Sequence, residues 1–195
     1  MKWLALMTFA LILAACASSA PTGLTTGQAA LATQQQTPAL QLGLLEEGVA
    51  TTLRRISLRD GISTWVSADG VTVSTKEGII VATRGFGGDV MGADTAPLMQ
   101  ALADGQDTAY ARNLSVLNGE NRVETLAFDC AFSSLGAREA QTLAGPQPAT
   151  LFQEDCRDGA LRVLNLYFVD GSGRVIQTRQ WGGPAAGVLT TLVLN

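Results

Sequence analysis

The chain has 195 residues, 13 Lys and Arg against 17 Asp and Glu, a net charge of −4 and no histidine. That length accommodates one domain with a sizeable core, and an acidic balance without basic runs argues against nucleic acid, whose binding rests on Lys and Arg neutralising phosphates. Without histidine, Ser-His-Asp and Cys-His catalysis and imidazole metal ligands are excluded; carboxylate chemistry, a Ser-Lys pair using Lys76, or an oxygen-ligand metal site remain.

Lys2 and the apolar segment from Trp3 to Ala15 read as the positive and hydrophobic regions of a secretory signal peptide. The run of about 13 residues falls short of the roughly 20 needed to span a bilayer. It ends in Leu13-Ala14-Ala15-Cys16, which resembles the lipobox of bacterial lipoproteins. That resemblance implies cleavage before Cys16, diacylation of its thiol and acylation of the new amine. Ala17 stands where an Asp resembles an inner-membrane retention signal, so the implied address is the outer membrane, with the body facing the periplasm. After cleavage Lys76 is the only lysine, so anchoring would rest on acyl chains, two or more of which hold stably where one binds marginally.

Residues 16–45 then form the lipidated cysteine, a flexible tether to about Thr26, and a helical segment from Ala29 to Leu45 interrupted near Pro38. Residues 46–195 form a single β-rich domain. Short β-branched runs at Leu53–Leu58, Ile62–Ser67, Val71–Thr75 and Ile79–Thr83, separated by Asp60-Gly61, Ala68-Asp69-Gly70 and Glu77-Gly78, predict antiparallel hairpins. Arg84 to Asp94 is a Gly-rich loop. Thr95 and Pro97 open a short helix over Ala96–Ala103. Strands resume with Thr108–Leu117 and Arg122–Phe132 around the Asn118-Gly119 turn. Further strands are Gln141–Leu143, Ala149–Gln153, Ala160–Val169, Arg174–Trp181 and Gly187–Leu194. Along Ala160–Val169 both faces are largely apolar, which predicts a central strand covered on both sides. The fold class is mainly β (β-rich α+β): a large curved antiparallel sheet or half-barrel of about ten to twelve strands, with one or two short helices on its concave face.

Cys130 and Cys156 remain after Cys16 is assigned to the anchor. In an oxidising compartment an even pair reads as a disulfide, the alternative being two unrelated buried thiols. The bridge would close a loop of about 26 residues, worth roughly 3 kcal/mol.

The loop Arg84-Gly85-Phe86-Gly87-Gly88-Asp89 lacks the third glycine of a dinucleotide fingerprint, where Val90 stands, and lacks the P-loop lysine. Its glycines instead supply positive φ, with Asp89 capping backbone amides and Arg84 as its partner. Asp89, Asp94, Asp104, Asp107, Glu120 and Glu124 could offer paired carboxylates, but most sit at turns where acids are ordinary. Asp170-Gly171-Ser172-Gly173 lacks the periodic acids of a calcium loop and reads as a hairpin turn. Trp65 and Trp181 read as packing residues, and Gln177–Trp181 as an exposed edge or partner contact.

The lipobox, Trp65–Gly70, the segment Gly78-Ile79-Ile80-Val81-Ala82-Thr83-Arg84-Gly85-Phe86-Gly87-Gly88-Asp89, Tyr167–Asp170 and Gln180–Pro184 together resemble the YjbF/GfcB family of outer-membrane lipoproteins of group 4 capsule and exopolysaccharide clusters. The resemblance implies a β-rich half-barrel without enzymatic activity, cofactor or metal, acting as an accessory factor in polysaccharide assembly or export. Arg84, Phe86, Asp89, Gln180 and Trp181 would then form the surface that meets polysaccharide or an export component. A lipid or acyl-chain carrier and a carboxylate-based glycan-modifying enzyme are the alternatives.

Overall fold

The computed structural model describes residues 38–142 and 144–194. The expected signal peptide, Cys16, the expected tether and the upstream part of the expected helix lie outside them, as does Leu143. The elements are β1 (Ala39–Leu44), β2 (Val49–Arg59), β3 (Ile62–Val66), β4 (Thr72–Lys76), β5 (Ile79–Arg84), β6 (Val90–Ala93), α1 (Ala96–Asp104), β7 (Thr108–Leu117), β8 (Val123–Ala140), β9 (Gln147–Asp158), β10 (Leu161–Val169), β11 (Val175–Trp181) and β12 (Val188–Val193).

Local chemistry sets the reversals. Asp60-Gly61 and Glu77-Gly78 each place two residues at positive φ, at 52° and 76° and at 51° and 85°, the conformation that turns a two-residue hairpin with the twist of its strands. Between β7 and β8, Asn118 Oδ1 accepts from the N–H groups of Glu120 and Arg122 at 3.0 Å each. Asp170 does the same between β10 and β11, accepting from Ser172 and Arg174. Helix α1 starts where Asp94 Oδ1 accepts the Ala96 N–H at 3.1 Å and ends at Gly105, whose left-handed φ of 64° lets its N–H reach Ala101 O.

The strands form one 12-stranded sheet in the order β5-β4-β3-β2-β1-β12-β11-β10-β9-β8-β7-β6. Each ladder joins sequence neighbours except β1–β12, which pair antiparallel from Leu40↔Val193 to Leu44↔Leu189. The half-barrel wraps into a nearly closed barrel, with β5 and β6 meeting at the seam. An up-and-down order sorts the connections between two ends. At the proximal end lie the start of β1, the β2–β3 and β4–β5 turns, α1, the β10–β11 turn and the end of β12. At the distal end lie the β1–β2, β3–β4, β5–β6, β7–β8 and β11–β12 connections.

Inward side chains fill the interior. Leu40, Leu42, Leu53, Trp65, Val73, Ile80 and Leu189 form one cluster. On the concave side, Leu98 and Ala101 of α1 pack against Ile79, Phe132, Phe152, Tyr167 and Val169. Phe132 and Phe152 stack at 5.2 Å.

The structure corrects several expectations. Ala39–Leu44 is a strand, not helix: Leu40 and Leu42 are buried while Gln41 is exposed, a period of two that tertiary pairing enforces on both sides of β1. The sheet therefore begins at Ala39 rather than after residue 45. Val90–Ala93 is the short strand β6 inside the expected loop, held by β7. Strand β8 runs on to Ala140, with a bulge between Ser134 and Ala137, so Gln141 and Thr142 form the turn to β9 rather than a strand. On β10, Val163, Asn165, Tyr167 and Val169 are buried but Leu164, Leu166 and Phe168 are half-buried, so its outer face is only partly covered.

Candidate functional site

The glycine-rich connection between β5 and β6 is built around Asp89, which is buried. Its Oδ1 accepts from Thr83 Oγ1 at 3.1 Å and from the Phe86 N–H at 3.3 Å, and its Oδ2 accepts from the Gly85 N–H at 3.1 Å. Thr83 Oγ1 in turn accepts the Val90 N–H. The carboxylate thus caps backbone amides, as the spacing led one to expect. The expected Arg84–Asp89 contact is absent: Arg84 Nη1 donates to the carbonyls of Thr83 and Val90, clamping the two strands while the side chain stays exposed. Gly183, at φ 117°, passes so close that a Cβ there would lie 2.6 Å from Gly88 O. Asp89 is therefore a structural anchor of this loop.

Gln180 and Trp181 do not lie on an exposed edge. Strand β11 sits between β10 and β12, and Gln180 is buried with its amide bonded to Ile80 N and Gly78 O of β5. Trp181 packs edge-on against Phe128 at 6.3 Å, and its N–H donates to Asn165 Oδ1. Trp65 is likewise interior, donating to Thr75 Oγ1 at 2.9 Å.

Of the expected surface residues, Phe86 lines an open groove, while Gln180 and Trp181 border a small void at the barrel centre. At the distal end a cavity of about 370 Å³ is bounded by Leu44, Glu47, Ser67, Asp69, Phe86 and Ala185, among others. Phe86 is half-buried against the Leu42 cluster. Asp69 accepts from the Ser67 hydroxyl, which holds its carboxyl below the usual range. An aromatic edge beside two carboxylates and a hydroxyl is a polar-apolar mix suited to a hydroxyl-rich ligand.

Sequence reading missed a second feature, a buried polar cluster inside β7, β9 and β10. Arg112 Nη1 donates to both oxygens of Glu154 at 2.9 Å. Tyr110 OH (2.9 Å), Asn165 Nδ2 (2.8 Å) and Tyr167 OH (3.0 Å) complete the donors to that carboxylate, and Arg112 Nε donates to Asp94 O. Glu154 is 0% exposed and Arg112 4%. Burial, reinforced by the Glu154 charge, raises both tyrosine hydroxyls well above their ordinary pKa. Burial alone would lower the Arg112 pKa, but Glu154 outweighs it and the pKa rises. The available signal was polar residues at inward positions of otherwise apolar alternations: Arg112 two before Leu114, Glu154 between Phe152 and Cys156.

Beside Glu154, Cys130 and Cys156 are directly paired across β8 and β9 and joined in a disulfide. These three residues are the one grouping of metal-ligand type among the described residues. The sulfurs are bonded to each other and the carboxylate is fully engaged, so they do not form a ligand set. The scattered acids serve local roles: Asp94 caps α1, Asp104 meets Gln100, Asp107 accepts from Ser134 N, and Glu124 meets Asn118. The Asp170 loop is a turn, closed by Arg174.

No curated protein matches the chain. Among solved structures, it is similar to the hypothetical lipoprotein YmcC from Escherichia coli (K12), with a TM-score of 0.72 and 17% identity over 89% of this chain and 97% of that one; at that identity the likeness is one of fold. The barrel, its capped loop and the sequence segments that frame them fall within residues 28–194, which match the family described as group 4 capsule polysaccharide lipoprotein gfcB, YjbF, and the chain belongs to that family.

Proposed function

We propose that this protein is a non-enzymatic accessory factor in exopolysaccharide or capsule assembly or export, anchored through Cys16 to the outer membrane and facing the periplasm. Family membership carries the reading. The distal groove around Phe86, Asp69 and Glu47 is the surface through which it meets polysaccharide or an export component. It opens at the barrel end opposite the start of β1. The local engagement of the acids weighs against the glycan-modifying alternative.

An acyl-chain carrier would need an interior cavity. The barrel centre between β5, β7, β10 and β11 leaves only about 10 Å³, so an acyl chain would have to lie in the cavity of about 570 Å³ between α1 and the proximal turns, where Glu77 and Arg174 share the lining with apolar side chains. The test is a chromosomal deletion complemented with wild type or with Phe86→Ala/Asp69→Ala. Deletion is expected to reduce surface polymer, and the double variant to restore it poorly while accumulating normally. Unchanged polymer amount, length and surface retention in the deletion strain would sink the proposal.

A further inference from the structure

We propose that the proximal end of the barrel is a membrane-resting surface, in which the β2–β3 hairpin places Ile56 and Leu58 at the bilayer interface while Arg54, Arg59 and Lys76 meet anionic lipid headgroups. The inference rests on lipid anchoring, from the reading above, and on four features of this end.

First, β2 outruns β1. Among the described residues the β1–β2 ladder stops at Ala39↔Arg54, the Arg55 N–H reaches Pro38 O beyond it, and Ser57–Arg59 pair with β3 alone. Second, Ile56 and Leu58 are 51% and 60% exposed, Leu58 the most exposed large apolar side chain among the described residues. Large apolar side chains on a projecting turn signal an interaction surface rather than a folding requirement.

Third, cations that looked dispersed in the sequence are gathered here. The registers Arg59↔Ile62 and Ile62↔Lys76 set Arg59, Ile62 and Lys76 side by side on one face, and Arg54 lies on the same strand as Arg59. Arg54, Arg59 and Lys76 enter none of the ion pairs among the described residues. Arg55 lies over the Trp65 ring at 5.9 Å. The neighbouring acids are Asp60 at the hairpin tip and Glu77 in the next turn, so the corner is net basic on an acidic protein. Unneutralised Arg and Lys beside exposed aliphatic side chains fit an anionic bilayer surface, where the charges find phosphates and the stems and apolar groups enter the interface.

Fourth, the chain upstream of Pro38 enters at this end. About 22 residues separate it from Cys16, a reach of at most about 75 Å when extended, so anchoring permits contact without imposing it. The same end carries the cavity of about 570 Å³ between α1 and the β4–β5 and β10–β11 turns, lined by Ile79, Met99, Leu102 and Val175 together with Glu77 and Arg174.

The experiment uses the mature chain from residue 16 with Cys16→Ser, so that no acyl chain contributes, in flotation with vesicles of phosphatidylcholine alone or mixed equally with phosphatidylglycerol. Binding to the anionic vesicles only, falling steeply with salt, is expected. Arg54→Glu/Arg59→Glu/Lys76→Glu should weaken it about a hundredfold or more, since each of the three cations near such a surface is worth about fivefold. Ile56→Ser/Leu58→Ser should weaken it about tenfold, and Glu120→Gln at the distal end should leave it unchanged. The substituted side chains are exposed, except for the half-buried Lys76, and the variants' thermal unfolding must match the parent. Absence of binding to anionic vesicles at low salt, equal binding by the charge-reversed variant, or a dimer dispersed by Ile56→Ser/Leu58→Ser would overturn the proposal. None of these readouts depends on polysaccharide, so the result stands apart from the function proposed above.

Discussion

The side-chain amide of Gln180 takes the place of a neighbouring strand for Ile80, one hundred positions earlier in the chain. Its Oε1 accepts the Ile80 N–H at 3.0 Å and its Nε2 donates to Gly78 O at 2.9 Å, with Thr178 Oγ1 accepting a further bond. Strand β5 ends the order of hydrogen-bonded strands, and Ile80 is 3% exposed, so water does not serve its N–H. Gln180→Leu, close in volume, leaves that amide unpaired at an expected loss of about 1–3 kcal/mol. Urea denaturation measures it, and hydrogen exchange at the Ile80 amide should accelerate ahead of its neighbours.

Arg112 and Glu154 depend on each other. Glu154→Ala strands a buried guanidinium and is expected to destabilise by about 3–5 kcal/mol. Arg112→Met alone leaves the carboxylate to the two tyrosines and Asn165. A double-mutant cycle with Arg112→Met/Glu154→Leu should return a coupling of about 2–3 kcal/mol. A coupling near zero would show that the pair is not what organises this core.

The two tyrosines of the chain both donate to Glu154, which gives a spectroscopic prediction. Their folded pKa values are raised, while in the unfolded chain they ionise near pH 10. Below that pH both states keep the protons and the stabilisation is whole. Above it the unfolded state sheds them first, so stability falls as pH rises. Absorbance titration should show no phenolate step near pH 10 in the folded protein, then both tyrosines ionising together as the barrel unfolds. A step at pH 10 without unfolding contradicts the network.

For the Cys130–Cys156 bridge, Cys130→Ser/Cys156→Ser is expected to lose about 2–4 kcal/mol. With Cys16 acylated or replaced by Ser, the protein should give no reaction with a thiol reagent until it is both unfolded and reduced. Gly78→Ala tests a close approach: at φ 85° its Cβ would meet Val175 Cβ at 2.8 Å. A fall in melting temperature of several degrees, restored in part by Val175→Ala, is the expected outcome.

Much of this was legible because it is local. Asp60-Gly61 and Glu77-Gly78 specify their turns through backbone conformations few residues adopt, Asn118 caps the amides of its own turn, and Pro97 with Gly105 brackets α1. Strand β1 was harder: its Leu40-Gln41-Leu42 alternation is short and follows an Ala- and Gln-rich stretch, and only the partners β2 and β12 decide the matter. Strand β6 has four residues, one of them Gly92, and exists because β7 is beside it. The candidate site divides likewise. Asp89 capping its own loop follows from sequence proximity, whereas Gln177–Trp181 read as an exposed edge because polar residues usually are. Gln180 is buried because β5 comes within reach of β11, and the Glu154 cluster draws on three strands whose register only the closed sheet sets.

The meander order has a consequence for how the barrel assembles. Each ladder but one joins strands that follow each other in the chain, contacts that can form as soon as both partners exist. The exception, β1 with β12, closes a loop spanning the whole sheet. Synthesis supplies β12 after the other described strands, so until then β1 keeps an unpaired edge of the kind that invites association between chains. Strand β12 is the one that takes the edge of β1 out of solution, and removing it would leave a ribbon rather than a slightly smaller barrel.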